Sequence, residues 1–229
     1  MILSRGRGYL FVHIPKTGGT ALALALEARA MRDDILVGDT PKARARRRRL
    51  TGIATAGRLW KHSALADLDG LVAAEELDGL FIFALVRNPW DRMVSYYHWL
   101  TTQRFDHPAV ALAQRLGFSA FLNHPETTGA LSAWPYGRYL RDSAGRDRCS
   151  LWIRLEHLQT DLAPLETHLG FPLRPVTMVN PSDRLRDWRS YYSDEDAALV
   201  ARICAEDIAR FAYRFDDAIL HTAPGTAKT

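Results

Sequence analysis

YLFVHIPKTGGT, residues 9–20, is an apolar run that leads into a short turn with two adjacent glycines. The apolar part predicts a strand over residues 9–14, and the Ala- and Leu-rich segment that follows the turn predicts a helix over residues 20–31. A strand that passes through such a turn into a helix directs backbone N–H groups at an anion, and the helix N-terminus adds partial positive charge. The stretch therefore predicts a phosphate-binding loop.

The side chains of this loop suit the same purpose. Gly18 and Gly19 allow backbone conformations and a close approach that larger residues block. Lys16 supplies a mobile positive charge, and Thr17 and Thr20 offer hydroxyls. The loop of nucleotide triphosphatases, GxxxxGK[ST], is absent because the lysine here precedes the glycines. The alternative interpretation is an ordinary turn between a strand and a helix.

A second motif, LFIFALVRNPWDRMVSYYHWL at residues 80–100, is a buried strand followed by Arg87 and a helix. Arg87 comes where the strand leaves the sheet, and Ser95 lies eight residues further on, so the two predict a second phosphate site. Nucleotide triphosphatases place an acidic residue for magnesium after this kind of strand. Arginine at that position predicts anion binding without a metal, although Arg87 could instead form a structural ion pair with Asp91.

Short apolar runs alternate with helical periodicity along the whole chain, which predicts an α/β fold with a central, mainly parallel sheet flanked by helices. The length of 229 residues suits one domain, here residues 1–221, with a disordered tail at residues 222–229. Predicted strands cover residues 9–14, 35–37, 59–61, 80–86 and 151–155. Predicted helices cover residues 20–31, 64–77 with a break near Gly70, 89–100 with Asn88 as N-cap, and 194–211 with Ser193 as N-cap. Residues 38–58 and 124–148 are expected to be surface loops.

The composition is that of a globular protein, with 47% hydrophobic and 24% charged residues, and it excludes disordered and fibrous classes. No apolar run is long enough to span a bilayer, and we find no signal peptide, so we expect a cytoplasmic protein. Cys149 and Cys204 lack the spacing of a zinc site or a disulfide framework, and no metal is expected.

The net charge of +4 is local, because residues 42–49 (KARARRRR) carry six positive charges and leave −2 for the rest of the chain. This basic run has three interpretations: a solvated loop, a nucleic-acid patch, or a landing site for an anionic acceptor. No nucleic-acid module accompanies it, so nucleic acid is not an expected partner.

The two motifs together resemble those of sulfotransferases that use 3'-phosphoadenosine 5'-phosphosulfate (PAPS), particularly the carbohydrate branch of the heparan and chondroitin type. HIPKTGGT at residues 13–20 is similar to the 5'-phosphosulfate loop, and VRNPWDRMVSYY at residues 86–97 is similar to the 3'-phosphate motif. The resemblance continues through residues 60–68, 152–171 and 179–216. The N-terminal membrane anchor of Golgi members is absent, which suggests a soluble, bacterial-type enzyme, and the basic run has no family counterpart.

The resemblance implies a P-loop-like sulfotransferase fold in which the loop grips the 5'-phosphosulfate of PAPS and Arg87 and Ser95 grip its 3'-phosphate. The loop residues concerned are Lys16, Thr17, Gly18, Gly19 and Thr20. His62 matches the position of the family's catalytic base. Independently of the family, His62 follows a short predicted strand, so it would lie at the same sheet edge as the two phosphate motifs. His13 is a second choice, and the other histidines default to structural or surface roles.

We therefore expect a sulfotransferase that moves a sulfuryl group from PAPS, as cosubstrate, to a hydroxyl or amine of an acceptor, expected to be a carbohydrate. Lys16 would stabilise the leaving group and His62 would deprotonate the acceptor. Residues 179–189 are expected to fold over the bound nucleotide. The alternatives are a kinase-like phosphoryl transferase and a non-catalytic protein that binds a nucleotide or polyanion.

Overall fold

The computed structural model of the protein describes residues 1–173, 176 and 184–217, so the expected tail at residues 222–229 lies outside the described residues. The strands are β1 (Ile2–Ser4), β2 (Tyr9–Val12), β3 (Ile35–Leu36), β4 (Phe81–Val86) and β5 (Leu151–Arg154). The α-helices are α1 (Gly19–Ala28), α2 (Pro41–Arg46), α3 (Ala74–Leu77), α4 (Pro89–Thr101), α5 (Pro108–Arg115), α6 (Phe118–Leu122), α7 (Pro125–Ala133), α8 (Tyr136–Tyr139), α9 (Leu158–Asp161), α10 (Ala163–Leu169), α11 (Asp194–Ile203) and α12 (Ala205–Phe211). Short 3-10 helices cover Arg47–Leu50, Leu65–Leu68, Leu155–His157 and Trp188–Tyr191.

The chain divides into two compact units. The first, which we call the sheet unit, comprises Met1–Arg87 and Gly129–Pro181. The second, the helical unit, comprises Asn88–Thr128 and Ser182–Thr229. No helix in the described part of the chain is both long and apolar enough to cross a membrane.

The sheet has the strand order β3-β1-β2-β4-β5. Strand β4 pairs in parallel with both β2 and β5, while β1 is antiparallel to β2 and β3, so four strands run in one direction. The paired residues Phe11 and Phe83 stack with ring centroids 5.4 Å apart inside the core. Strands buried on both faces are expected to be continuously apolar, as YLFV and FIFALV are. The predicted α/β fold with a mainly parallel sheet is confirmed.

Two strand assignments differ from the sequence expectation. Strand β1 was not predicted, because three buried residues are too few to show a period. The strand predicted over residues 59–61 is wrong, since this segment is irregular, with a bend at Trp60 that leads into a turn at Lys61. The Ser63 hydroxyl accepts a hydrogen bond from the Trp60 N–H at 2.9 Å and donates one to the Arg58 carbonyl at 2.8 Å. These local bonds replace the ladder bonds that a strand would need.

The helix predicted over residues 64–77 is also wrong as a continuous element. A 3-10 helix over Leu65–Leu68 and the short α3 are separated at Gly70, which has a φ of +96°. A Cβ at this position would lie 2.4 Å from the carbonyl oxygen of Ala54, so the chain needs glycine here. The segments 38–58 and 124–148, expected to be loops, contain α2, α7 and α8. Thr40 caps α2 by accepting from the Ala43 N–H at 3.2 Å.

Both predicted N-caps in the helical unit are confirmed. Asn88 accepts from the Trp90 N–H at 3.1 Å, and Ser193 accepts from the Asp196 N–H at 3.2 Å. The helix predicted over residues 194–211, however, is divided into α11 and α12 at Cys204, where φ is −98° and ψ is 22°. Glu206 and Asp207 follow this break in the first turn of α12, where acidic side chains favour a new helix N-terminus.

Candidate anion-binding site

The loop between β2 and α1 contains two residues in the left-handed conformation. Lys16 has a φ of +65° and Gly18 a φ of +86°. For lysine this conformation costs about 1–2 kcal/mol, a strain that is found mainly where function requires it. Two features exclude a side chain at Gly18: its positive φ disfavours one, and an added Cβ would lie 2.8 Å from Cδ1 of Leu155. The loop thus combines a glycine that favours the left-handed conformation with a lysine that does not.

The N-terminus of α1 lacks the groups that usually cap a helix. Its N-cap is Gly18, no side chain of the described residues caps it, and its first turn contains no acidic residue. The first backbone N–H groups of a helix have no partner within the helix and carry its positive dipole end. This end of α1 is therefore suited to an anionic ligand.

The two threonines of the loop have different environments. Thr17 is fully buried, and its hydroxyl donates to the Ile14 carbonyl at 2.9 Å. The hydroxyl proton of Thr17 thus holds the turn, and only its two lone pairs remain, which can accept a hydrogen bond but not donate one. Thr20 is half-buried in the first turn of α1.

Arg87 comes directly after β4 and lies against this loop. Its Nη1 donates to the Lys16 carbonyl over a long contact of 3.4 Å, and its own carbonyl accepts from the Tyr136 hydroxyl at 2.6 Å. The second contact anchors the backbone of Arg87 where the strand ends. The structure thus brings a second positive charge to the loop that contains Lys16.

His62 lies at the same loop although no strand precedes it. Its Nδ1 is 2.7 Å from the His13 carbonyl oxygen, and because a carbonyl only accepts, Nδ1 carries the proton. In the neutral ring the lone pair is then on Nε2. The rings of His13 and Trp60 flank the imidazole, with centroids 4.7 and 5.1 Å away and planes at 71° and 87° to it.

His13 connects His62 to the start of α1. Its ring stacks on Phe11 with centroids 5.6 Å apart, and a Cβ on Gly19 would lie 2.4 Å from its Cδ2. Burial lowers the pKa of His13 well below its ordinary value, so the ring is neutral at neutral pH. A buried, weakly basic imidazole is better suited to packing than to proton transfer.

Among the predicted site residues, the structure places Lys16, Thr17, Gly18, Gly19, Thr20, His62 and Arg87 in the sheet unit. Ser95 lies in the helical unit, on α4, with 5% of its surface exposed, and its pairing with Arg87 stays a prediction. Residues 179–183 of the segment expected to fold over the nucleotide lie outside the described residues. Cys149 and Cys204 are both free thiols, and the described part of the chain holds no cluster of His, Cys, Asp or Glu side chains that could bind a metal ion.

Several residues that shape the site were not identified from the sequence. Leu155, which packs on Gly18, and Tyr136, which anchors Arg87, are distant in the chain and have no motif. The left-handed backbone of Lys16 has no sequence signal either, because lysine disfavours it. Trp60 could have been identified from the sequence as a neighbour of His62, because it lies two residues before it.

No protein-family model matches the chain, and neither does any protein in a curated collection of sequences. Among solved structures, the chain is similar to the crystal structure of the mouse sulfotransferase SULT7A1 complexed with PAP. The two share 16% sequence identity with a TM-score of 0.47, and the alignment covers 88% of this chain and 84% of that one.

Proposed function

We propose that this protein is a sulfotransferase that transfers a sulfuryl group from PAPS to a hydroxyl or amine of an acceptor, with a carbohydrate as the expected acceptor. One observation carries the proposal. The N-terminus of α1, which no described side chain caps, has Lys16 and Arg87 beside it and His62 joined to it through His13. An anion site with an oriented base at its edge is what group transfer from a charged donor requires.

The donor would be held by the loop and by Arg87. The first N–H groups of α1 and the ammonium group of Lys16 would bind the 5'-phosphosulfate, with Gly18 and Gly19 packed closely against Leu155 and His13 at the start of the helix. Arg87, with Ser95 as its predicted partner, would bind the 3'-phosphate in the charge-assisted geometry that guanidinium groups favour. These positive groups replace the magnesium ion that nucleoside triphosphates need, so no metal enters the proposal.

The transfer step follows from the protonation of His62. With its proton on Nδ1, the neutral ring can accept the acceptor's hydroxyl proton at Nε2 as the acceptor oxygen attacks sulfur. A sulfur–oxygen bond forms to the acceptor, and the bond between sulfur and the bridging oxygen of the 5'-phosphate breaks. Adenosine 3',5'-bisphosphate leaves with the electron pair, and Lys16 stabilises the charge that develops on the bridging oxygen.

The test is a thermal-shift titration with adenosine 3',5'-bisphosphate and with ATP, both in excess chelator. A ligand that binds only the folded state raises the melting temperature. We expect the bisphosphate to stabilise the protein without metal and ATP to stabilise it less. Stabilisation by ATP that depends on magnesium, with no response to the bisphosphate, would instead support the kinase-like alternative. Formation of bisphosphate from PAPS that depends on an added acceptor would then establish transfer.

A further inference from the structure

Positive charge is concentrated on one surface of the sheet unit, between β3 and the segment that leads to His62. Residues 40–66 carry eight Lys and Arg side chains and no Asp or Glu. We propose that this surface docks reversibly on an anionic lipid bilayer. We call it the basic face and define it by Arg44, Arg47, Arg58, Trp60 and Lys61. The inference goes beyond the proposed transfer reaction and does not depend on it.

Part of the positive charge in this region is used inside the fold. Three cations of the basic run donate to backbone carbonyls at the last turn of α1 and in the segment that follows it, namely Lys42, Arg46 and Arg49. Arg44, Arg47 and Arg58 are exposed, and among the described residues no carboxylate forms an ion pair with any of them. These three guanidinium groups are therefore available to an external anion.

The members of the basic face lie close together although they come from separate segments. Lys61 donates to the Asp39 carboxylate at 2.8 Å. This bond, together with the charges of Arg44 and Arg47, holds the pKa of the Asp39 carboxyl below its ordinary value. Arg47 and Lys61 also line a pocket of about 300 Å³, and the remaining members of the basic face line the same pocket. The Asp39 carboxylate thus faces four positive side chains, and the surface keeps an excess of positive charge.

Apolar side chains are interleaved with these cations. Trp60 is 45% exposed, and Leu50, Ile53 and Leu59 are each half-buried. Trp favours the headgroup region of a bilayer, because its ring is largely apolar while its N–H can reach water. Basic segments that carry such residues add the burial of apolar area to their electrostatic attraction for anionic lipids. Charge and exposed apolar area on one surface therefore favour a lipid partner over a merely solvated loop.

The composition of the same segment argues against nucleic acid as the partner. Residues 41–61 contain no Asn, Gln, Asp or Glu, which are side chains that read base edges alongside Arg and Lys. Half-buried aliphatic side chains gain little from a sugar–phosphate backbone and more from the apolar part of a bilayer. Charge complementarity and apolar area together thus point to an anionic bilayer.

The experiment is co-sedimentation of the full-length protein with vesicles at low ionic strength. One set of vesicles is phosphatidylcholine alone, and the other contains roughly one-third phosphatidylserine to supply the negative surface potential. The test variant combines Arg44→Gln, Arg47→Gln and Arg58→Gln. The matched control removes three exposed arginines from the helical unit, through Arg104→Gln, Arg115→Gln and Arg202→Gln. A single-stranded oligonucleotide is added as the competing anion.

We expect the wild type to bind the phosphatidylserine vesicles and to bind neutral vesicles much less, with an affinity that falls as salt rises. Each Lys or Arg near an anionic surface contributes about fivefold to the affinity. The test variant should therefore lose at least about tenfold and the control less than about threefold, while both keep the wild-type melting temperature. Trp60→Ala should weaken binding a few-fold even at high salt, because burial of the ring does not depend on charge.

The inference is overturned if the two kinds of vesicle bind equally or not at all, or if the control loses as much affinity as the test variant. Release of most of the protein by the oligonucleotide, at a charge concentration equal to that of the anionic lipid, would identify a nucleic-acid surface instead. None of these measurements uses PAPS or an acceptor. Failure of the proposed function would appear separately, as no binding of adenosine 3',5'-bisphosphate to the wild type.

Discussion

The predicted phosphate-binding loop at residues 13–20 and the basic run at residues 42–49 differ in how the fold uses their positive groups. The loop has one positively charged side chain, Lys16, yet it lies at a helix N-terminus that no described side chain caps, with Arg87 against it. The run has six, but three of them donate to carbonyls at the end of α1 and beyond. We therefore propose the region with less formal charge as the anion site.

The number of charges in a segment is therefore a poor measure of how well that segment binds an anion. A positive group attracts a ligand only if the folded chain does not already satisfy it. Side chains as long as arginine reach backbone carbonyls easily, and these bonds compete with any ligand. Backbone N–H groups at a helix N-terminus cannot turn toward another carbonyl in this way, since the helix fixes their direction.

The largest effect is expected from removing His62, the proposed base at the loop. Substitution of His62 by alanine should lower turnover by about 10²- to 10⁴-fold, the usual contribution of a positioned base. Affinity for adenosine 3',5'-bisphosphate should change less than a few-fold, because in the proposed mechanism the imidazole contacts the acceptor and not the nucleotide. Steady-state transfer kinetics with saturating PAPS measure the first quantity, and calorimetry measures the second. His157→Ala, at an exposed histidine of the sheet unit, is the control, and near wild-type turnover of His62→Ala would remove His62 from the mechanism.

The next effect concerns the second positive group at the loop. Arg87→Ala should weaken the binding of adenosine 3',5'-bisphosphate by about 2–3 kcal/mol, on the scale of a charge-assisted contact. Adenosine 5'-phosphosulfate lacks the 3'-phosphate, so its affinity should hardly change. Calorimetric titration of both ligands into both proteins gives the comparison. Equal losses for the two ligands would mean that Arg87 acts by holding the Lys16 carbonyl and not by binding the 3'-phosphate.

Acidification should lower the free energy of unfolding, because the buried His13 is neutral in the folded state. Burial depresses the pKa of His13 in the folded state, whereas in the unfolded chain the ring titrates near ~6.5. Below that pH the unfolded state binds the additional proton, so the stability contributed by neutral His13 is complete above about pH 6.5 and is lost as pH falls. The loss is at most ~1.4 kcal/mol per pH unit. Urea unfolding between pH 5 and 7.5 measures this slope, which should be shallower in His13→Phe. An unchanged slope would mean that His13 is protonated in the folded state.

The smallest effect distinguishes an arginine of the basic run that bonds a backbone carbonyl from one that does not. Arg46→Ala removes a hydrogen bond of 2.7 Å to the Met31 carbonyl and should lower the free energy of unfolding by about 1 kcal/mol. Arg48→Ala should change it by less than about 0.5 kcal/mol, as is usual for surface substitutions without such a bond. Chemical denaturation of the two variants side by side tests this. If both lose the same free energy, the run stabilises the fold by its charge alone.

Elements with a strong local pattern were predicted well from the sequence. The FIFALV strand, the strand-turn-helix at residues 9–20 and the caps Asn88 and Ser193 are all present, because burial on both strand faces and side-chain capping leave a local signature. Besides the missed β1 and the helices in the two expected loops, the errors fall at 59–61, 64–77 and 194–211. In residues 59–61 the Ser63 hydroxyl bonds the neighbouring backbone in place of a strand partner. In residues 64–77 the Ala54 carbonyl leaves no space for a side chain at Gly70, and in residues 194–211 the helix is interrupted at Cys204.

The sequence by itself determined the α/β class, and it predicted two anion motifs and the residue types of the proposed site, since these follow from periodicity, from glycine's conformational freedom and from charge. Only the tertiary structure decided that His62 reaches the loop by donating to the His13 carbonyl, that Leu155 packs on Gly18, and that Lys42, Arg46 and Arg49 bind carbonyls while Arg47 lines a pocket. These contacts join residues far apart in the chain. Their hydrogen bonds and close packing depend on ångström-scale positions, which a one-dimensional pattern does not contain.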